Sequence, residues 1–270
     1  MTMVWSPDYL GSPGKMVLAK DYPADADVKA YVAAVEAADG QALELEVVKA
    51  YDNFILGCKH DGIWDAIKAS CILAGARTLS GALVPLAGAA PTNNNFVSGD
   101  YNRETGLKGN GSTKYLNSNR TNNADSSASK HLSFYITEGA GGLDVLFGAA
   151  AFQTGGSFYQ TTTLKRGALD TTAYFVSSTA EVNNSLLGIK RTATNNTEIY
   201  ASKVTTSSSA AAQTPQNSAN YYIYANNAVP AASNLWPGRL AFYSIGSNLD
   251  LALLDTRVST LISDLGAAIP

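Results

Sequence analysis

The feature that most constrains this 270-residue sequence is a long central segment with few charges. Residues 79–237 contain 18 charged side chains in 159 positions, and serine, threonine, asparagine and glycine are abundant there. These residue types favour turns, helix caps and strands over helix interiors. The central segment therefore predicts short β-strands joined by polar loops, and we expect long helices only outside it.

Apolar or alternating runs of four to eight residues recur in this region, separated by clusters of glycine, asparagine, serine or aspartate. Strands at such regular spacing predict an antiparallel β-sandwich or barrel over residues 96–247. The lack of alternation between strands and helices disfavours a parallel α/β sheet. The predicted strands are Phe96–Ser98, Lys114–Leu116, His131–Thr137, Asp144–Ala151, Ser157–Thr162, Thr172–Ser177, Ser185–Arg191, Glu198–Ala201, Asn220–Tyr224 and Arg239–Ile245.

The N-terminal residues 1–23 predict an extended leader. Its prolines and glycines exclude a continuous helix, yet it carries the apolar side chains of Trp5, Tyr9 and Leu10. Such a segment packs on its own domain, forms an arm that docks onto another subunit, or is disordered. If it is a docking arm, these three residues are the candidate docking residues.

Residues 24–78 predict a small bundle of three helices. Apolar residues recur at three- or four-residue spacing over residues 24–38, 41–59 and 62–74, and an Asp-Gly pair or a glycine follows each run. About 55 residues are marginal for an independent domain, so we expect this bundle to pack on the next domain or on a neighbouring chain. Residues 79–95 predict a partly buried linker.

A closing helix is predicted within residues 248–270. Asn248 is a plausible N-cap, and the leucines and other aliphatic residues that follow form one stripe that Gly266 ends. The predicted fold is therefore mainly β, of the α+β type: a helical bundle, an antiparallel β-sandwich and a C-terminal helix.

Cys58 and Cys71 are predicted to be buried free thiols. If Cys58 lies at the end of the second helix, Cys71 lies about ten residues along the third, roughly 15 Å away. A disulfide requires Cα atoms within about 7 Å of each other. The run CKHDG places one cysteine and one histidine, His60, close together, which is too little for a zinc site.

The sequence lacks the residue patterns that common enzymes require. It has two histidines, no G-x-S-x-G nucleophile motif and no phosphate loop, since the glycine-rich run at residues 106–114 lacks the G-K-[ST] ending. His131 lies in a predicted strand, where a structural role is expected. No predicted strand carries the paired acids that a glycosidase needs. We therefore expect no catalysis and no cofactor, and a polysaccharide-degrading enzyme is the remote alternative.

Two further classes of partner are disfavoured by the composition. The net charge of −3 and the pI of about 5.4 argue against a nucleic-acid binder, which normally carries a basic excess. No apolar run reaches the roughly 18 residues of a membrane span. We therefore expect neither nucleic-acid binding nor membrane insertion.

One segment offers clustered oxygen ligands for a metal ion. Asp100, Asn102 and Glu104 alternate along the chain, which would place three side-chain oxygens on one side of an extended segment, as calcium requires. The alternative is a polar turn in which Asp and Asn cap their own backbone. No metal site is predicted, and a weak calcium site near Asp100 is left open.

Aromatic residues beside asparagines are the signal for a carbohydrate surface. Tyr224 precedes Asn226 and Asn227, and Trp236 lies in a loop before a Pro-Gly pair. Flat rings stack on the C–H faces of sugars, and amides pair with hydroxyls. These four residues are therefore the candidate glycan ligands. The alternative is that the tyrosines alternate into the core and Trp236 covers its edge.

Several runs carry a family resemblance. LLGIKRTATNNTEIYASKV, NYYIYANNA and GRLAFYSIGSNLD, between Ser185 and Asp250, resemble the second half of a laminin-G/concanavalin A-like module. Over residues 24–270 the chain resembles structural proteins of tailed bacteriophages and prophages, most particularly in FVSGDYNRETGLKGNGSTKYL. The resemblance implies a virion component with a jelly-roll, lectin-like domain. It implies no catalysis and carries over no sugar-binding position.

The expected function is that of a non-enzymatic structural protein of a tailed-phage virion, of the tail-fibre or receptor-binding kind. The expected partners are other virion proteins of the tail or capsid and a host-surface glycan, and a homotrimer is the expected state. Assembly in the bacterial cytoplasm would fit the free cysteines. The alternative is a capsid decoration, cement or head-fibre protein, which needs no ligand.

Overall fold

The structure is a computed structural model of the 270-residue chain. Two sheets stack face to face as a β-sandwich, and helices cover one of them. The residues that the structure describes are 3–6, 15–18, 22–140, 144–149, 155–160, 165–171, 175–177, 183–208, 213–229 and 231–269.

The helices and strands of the described residues are numbered here in chain order. The helices are α1 (Ala26–Asp39), α2 (Leu45–His60), α3 (Leu79–Ala82) and α4 (Leu251–Ala268). The strands are β1 (Met3–Ser6), β2 (Lys15–Leu18), β3 (Ile67–Ile72), β4 (Thr92–Asn94), β5 (Tyr101–Asn102), β6 (Gly106–Lys108), β7 (Tyr115–Thr121), β8 (Lys130–Glu138), β9 (Asp144–Ala149), β10 (Gly156–Gln160), β11 (Lys165–Leu169), β12 (Phe175–Ser177), β13 (Ser185–Ala193), β14 (Asn196–Ala201), β15 (Val204–Ser208), β16 (Asn220–Ile223), β17 (Asn226–Asn227), β18 (Ala232–Ser233) and β19 (Arg239–Gly246).

The sandwich consists of an inner sheet, which the helices cover, and an outer sheet. The inner sheet has the strand order β15-β14-β13-β8-β19-β6-β5, and β3 pairs with β19. The outer sheet has the order β12-β11-β10-β9-β16-β7-β4, and β17 and β18 join it beside β9. Pairing is antiparallel along both of these orders, as the sequence predicts, and β17 runs parallel to β9.

The inner sheet buries side chains on both of its faces. In β8, Leu132, Phe134 and Ile136 pack between the two sheets, whereas Tyr135 packs against the helices. Alternate residues of a strand point to opposite faces, so a sheet that is covered on both sides needs nearly continuous apolar runs. The run from His131 to Thr137 is such a strand, and its prediction is confirmed.

The C-terminal helix α4 packs on α2 and on the inner sheet. Leu251, Leu254, Val258 and Leu261 are buried on one stripe, as predicted. The N-cap is Asp250, whose carboxylate accepts hydrogen bonds from two backbone N–H groups of the first turn, so the predicted cap at Asn248 is wrong by two residues. Among the described helices, none is long and apolar enough to cross a membrane.

The third predicted helix, over residues 62–74, does not form. Trp64–Ala66 is a single 3₁₀ turn, and Ile67–Ile72 is strand β3, paired antiparallel with β19. Ile72 packs against the helices and Cys71 packs between the sheets. Both faces of this strand are buried, so its apolar residues do not alternate with polar ones, and their spacing in the sequence is the same as on one face of a helix. The helical layer therefore consists of α1, α2 and α4 lying on the inner sheet, not of an N-terminal three-helix bundle.

The described part of the leader forms a hairpin. β1 and β2 pair antiparallel, with Trp5 opposite Met16. Tyr9 and Leu10, the other two candidate docking residues, lie outside the described residues. The docking role of the leader stays a prediction.

Both cysteines are free and buried, as predicted. Burial raises the pKa of each thiol to about 12. The Cys71 Sγ lies 3.4 Å from the Tyr243 hydroxyl oxygen in the space between the sheets. A thiol of this pKa is almost entirely protonated at neutral pH, and the thiolate is the reactive form.

We therefore expect neither cysteine of the native protein to react with a chromogenic disulfide reagent at neutral pH on the timescale of minutes. The same protein in denaturant should release two equivalents of chromophore, because the chain contains two cysteines. A single Cys58→Ala variant, which should release one equivalent in denaturant, calibrates the assay. Rapid reaction of the folded protein would contradict the burial of the thiols.

Candidate functional site

The aromatic residues predicted to contact a sugar lie inside the sandwich. Trp236 and Tyr224 are both 0% exposed, and their rings stack on each other with centroids 5.9 Å apart. The Tyr224 hydroxyl donates to the backbone carbonyl of Leu107 at 2.5 Å. Asn226 and Asn227 are buried in β17. Because no face of either ring reaches solvent, the four predicted glycan ligands are core residues and do not form a sugar-binding surface.

The same tyrosine-rich strand places one other ring at the surface. In β16, Tyr221 and Ile223 point into the core, and Tyr222 between them is partly exposed. This arrangement follows from the two-residue period of a strand. Sequence reasoning did not select Tyr222, although alternation within β16 identifies it as the residue that faces away from Tyr221 and Ile223.

Tyr222 lies beside a second tyrosine on the outer sheet. β16 pairs with β7, and the ring of Tyr222 packs against the ring of Tyr115, with centroids 4.6 Å apart and planes inclined by 31°. Burial and the neighbouring Tyr115 raise the pKa of the Tyr222 hydroxyl, which is therefore neutral at neutral pH. We call these two residues the tyrosine pair. The two partly buried rings form an aromatic platform on the outer sheet, and Tyr115 also packs against the core between the sheets.

Amide and hydroxyl groups lie next to the tyrosine pair. Asn117 of β7 is the register partner of both Tyr222 and Thr92, which belongs to β4. The Asn117 Oδ1 accepts a hydrogen bond from the backbone N of Asn119 at 3.0 Å. The Asn119 Nδ2 in turn donates to the Thr92 Oγ1 at 3.0 Å. These contacts hold polar groups in fixed positions beside the rings, which is the chemistry that recognises a neutral polyhydroxyl ligand.

The candidate calcium ligands are engaged in turns and in an ion pair. The Asp100 Oδ1 is 2.5 Å from the Lys114 Nζ, and the Asp100 Oδ2 accepts from the backbone N of Val97 at 2.8 Å. Burial acts to raise the pKa of Asp100, but Lys114 and the backbone hydrogen bond outweigh it and lower that pKa. The Asn102 Oδ1 accepts from two backbone N–H groups of its own turn. Asp100 and Asn102 thus adopt the alternative arrangement, a polar turn, to which Glu104 contributes its backbone N–H.

The histidine predicted in a strand, His131, has both ring nitrogens within hydrogen-bond distance of neighbouring serines. His131 is buried, and its Nδ1 lies 2.6 Å from the Ser247 carbonyl oxygen while its Nε2 lies 2.8 Å from the Ser244 Oγ. Because a carbonyl oxygen only accepts, Nδ1 carries the proton and Nε2 accepts from the serine hydroxyl. Within the described ranges, no group of three or more His, Cys, Asp or Glu side chains is placed to hold a metal ion.

Comparison with known proteins gives structural neighbours but no family. No protein-family model matches the chain, and no curated protein matches it. The binding domain of botulinum neurotoxin serotype D is 13% identical over 73% of this chain and 51% of that chain, with a TM-score of 0.49. The receptor-binding domain of the neurotoxin mosaic serotype C/D is 12% identical over 73% and 50%, with a TM-score of 0.48.

A mutant of NanB sialidase from Streptococcus pneumoniae is a further neighbour, 15% identical over 50% of this chain and 24% of that chain, with a TM-score of 0.40. The chain spans about half the length of the neurotoxin domains and about a quarter of the sialidase. At these values the likeness decides nothing about function. The class of this protein, a β-sandwich covered on one side by helices, is defined by its own two sheets.

Proposed function

We propose that this chain is a non-enzymatic structural protein of a tailed-phage virion, of the tail-fibre or receptor-binding type, whose β-sandwich contacts host-surface glycan. The observation that supports glycan contact is the tyrosine pair on the outer sheet, with rings 4.6 Å apart beside fixed amide and hydroxyl groups. The site we propose is therefore Tyr115, Tyr222, Asn117 and Thr92, in place of the four residues predicted from the sequence.

The chemistry of this surface suits a weak, neutral ligand. A sugar ring places its C–H face on an aromatic ring, and its hydroxyls take up nearby amide groups. Two small rings bury little area, so a single site binds weakly, and several copies on one particle would raise the overall avidity by many-fold. A homotrimer displayed on a virion would supply this multivalency, and for that reason the oligomer belongs to the proposal.

The virion location is supported by the sequence resemblance over residues 24–270, above all by residues 96–116. In the fold, the latter segment forms the β5–β6 pair, which extends the inner sheet beyond β19, and the ion pair between Asp100 and Lys114 closes it. The partners that we propose are other proteins of the tail or capsid, reached through the N-terminal leader. Assembly would take place in the cytoplasm of the bacterial host.

The glycan proposal is tested on an array of bacterial surface polysaccharides and oligosaccharides, probed with the full chain. Loss of one ring from a two-ring contact should weaken binding about tenfold or more, since about 1.4 kcal/mol corresponds to a factor of ten. We therefore expect Tyr222→Ala and Tyr115→Ala to lose array signal and Tyr222→Phe to keep most of it.

The matched control is Val204→Ala, which shortens an exposed side chain on the edge strand of the other sheet and should leave binding unchanged. Equal binding by Tyr222→Ala and the parent chain would contradict the site. The appearance of new reducing ends on a bound polysaccharide would instead support the enzyme alternative.

The place in the particle is tested by quantitative mass spectrometry of purified virions. Tens of copies per particle would support a tail-fibre or receptor-binding protein. Hundreds of copies would support the capsid decoration alternative, in which the sandwich serves as a scaffold and needs no ligand. Absence of the chain from purified particles would contradict both.

A further inference from the structure

A closed cluster of polar side chains lies buried at one end of the sandwich. Lys130 is the first residue of β8, Asn122 lies in the 3₁₀ turn that precedes it, and Asp170 directly follows β11 of the opposite sheet. Lys130 is 2% exposed, and Asn122 and Asp170 are 0% exposed. The chemistry of the cluster differs from that of the tyrosine pair, because an amine, an amide and a carboxyl group contact each other without solvent.

The three groups contact each other in a triangle. The Lys130 Nζ lies 2.6 Å from the Asp170 Oδ2 and donates to the Asn122 Oδ1 at 3.1 Å. The Asn122 Nδ2 donates to the Asp170 Oδ1 at 2.7 Å. One carboxyl group therefore bridges the amine and the amide nitrogen. A fourth residue contacts the triangle, since the Tyr221 hydroxyl donates a hydrogen bond to the Asn122 Oδ1.

The position of Asp170 is fixed by its backbone. The Arg191 Nη1 donates to the carbonyl oxygen of Asp170 at 3.2 Å, and the backbone N of Thr214 donates to the same oxygen at 2.8 Å. The φ angle of Asp170 is +49°, a left-handed conformation that side-chain-bearing residues adopt at a cost. Fixed in this way, Asp170 places its carboxyl group in contact with Lys130 and Asn122.

A charged pair in this cluster carries a large desolvation penalty. Removing an ammonium and a carboxylate from water is costly, and their attraction offsets this cost only where the geometry and the surrounding hydrogen bonds are favourable. Transfer of one proton from the Lys130 Nζ to Asp170 removes both charges. Burial lowers the pKa of Lys130 and so favours this transfer. The product is a neutral amine, a nucleophile, held beside a carboxamide whose carbonyl oxygen accepts from Tyr221.

We propose that Lys130 and Asn122 join spontaneously in an intramolecular isopeptide bond, with Asp170 as the proton relay. The Lys130 Nζ attacks the Asn122 Cγ, forming an N–C bond, while the Tyr221 hydroxyl stabilises the developing oxyanion. Asp170 takes a proton from Nζ and delivers a proton to Nδ2. The Cγ–Nδ2 bond then breaks and ammonia leaves. Atoms and electrons balance without an oxidant or a cofactor.

The first test is the intact mass of the purified, denatured full chain. The proposal predicts a mass below the sequence mass by one ammonia molecule. Trypsin should then fail to cleave after the acylated Lys130 and should yield a peptide from Thr121 to Lys165 that is short by the same mass, because no lysine or arginine lies between residues 130 and 165.

Three results of this measurement would overturn the proposal. A full sequence mass would show that the triangle is an ordinary ion pair. Loss of ammonia with normal cleavage after Lys130 would show that the ammonia was lost from another residue of the chain. Loss of water instead of ammonia would show that Lys130 had joined the carboxyl group of Asp170, and not the amide of Asn122.

Substitutions then separate the roles. Asp170→Asn removes the proton relay at nearly constant shape and should restore the full sequence mass. Tyr221→Phe keeps the ring and should slow bond formation, leaving a fraction of uncrosslinked chain. The matched control is Lys190→Met, which removes a lysine of the neighbouring strand that pairs with Glu198, and it should retain the ammonia loss.

Circular dichroism establishes that each variant is folded before its mass is interpreted. If Asp170→Asn fails to fold, Tyr221→Phe carries the test of the machinery, and the wild-type mass decides the bond itself. A folded Asp170→Asn chain that still loses ammonia would overturn the assignment of the proton relay.

Discussion

Replacing Trp236 with alanine should lower the free energy of unfolding by about 3–5 kcal/mol, the usual cost of removing a fully buried large aromatic side chain. The ring is 0% exposed and stacks on Tyr224 between the two sheets. Gly238 lies against the indole ring, and a Cβ atom at that position would collide with it. The site is thus shaped around the indole ring, and little relaxation can fill the space it leaves.

The measurement is equilibrium unfolding in urea followed by circular dichroism. Trp236→Phe keeps an aromatic ring and should cost clearly less than the alanine variant. Trp64→Ala is the comparison at a partly exposed tryptophan, whose ring lies under the Lys59 Nζ, and it should also cost less. A Trp236→Ala protein that is as stable as its parent but loses glycan binding would contradict the core role and return Trp236 to the ligand site.

The stability of the protein should fall by about 3 kcal/mol in total as the pH decreases from neutral to about 4, through His131 alone. Burial lowers the pKa of His131 from 6.5 to about 4. Below 6.5 the unfolded chain binds a proton that the native His131 does not take up. The unfolded state therefore binds more protons in this window, and native stability is lost as the pH falls through it.

Urea unfolding between about pH 7 and about pH 5 measures this effect. Burial raises the pKa of Asp52 and Asp264, so the contribution of His131 is taken from the difference between the parent chain and a His131 variant. The hydrogen-bond partners of His131 are the neutral Ser244 and Ser247, and the charged Asp125, Arg120 and Lys190 change its pKa less than burial does. His131→Gln should remove most of the slope, although it lowers stability at neutral pH. An unchanged slope in His131→Gln would contradict the assignment.

How far the sequence predicts this fold depends on how many faces each element buries. Strands β8, β13 and β19 were predictable because polar turns bound them and apolar residues fill them. The same chemistry misleads at β3, where burial on both faces removes the alternation that distinguishes a strand from a helix. The prediction of a strand at Phe96–Ser98 is wrong, since Ser98–Asp100 is a 3₁₀ turn.

The candidate site shows a similar limit. Tyrosines and asparagines beside each other in the sequence do not show which ring is exposed, because exposure depends on strand register. In β16 the register buries Tyr221 and exposes Tyr222, and Tyr115 reaches it from a strand about a hundred residues earlier in the chain. The Lys130 cluster is harder still to foresee, because Asn122 and Asp170 come together only when the two sheets stack.

The helical layer makes the two broad sides of the sandwich different from each other. α1, α2 and α4 seal one broad side, and the tyrosine pair lies on the other, with two stacked sheets about 10 Å apart between them. A partner protein that binds the helical side would leave the tyrosine pair uncovered. Under the proposed function, one partner could bind the helices while a glycan binds the tyrosine pair, and substitutions on one side would leave the other side unchanged.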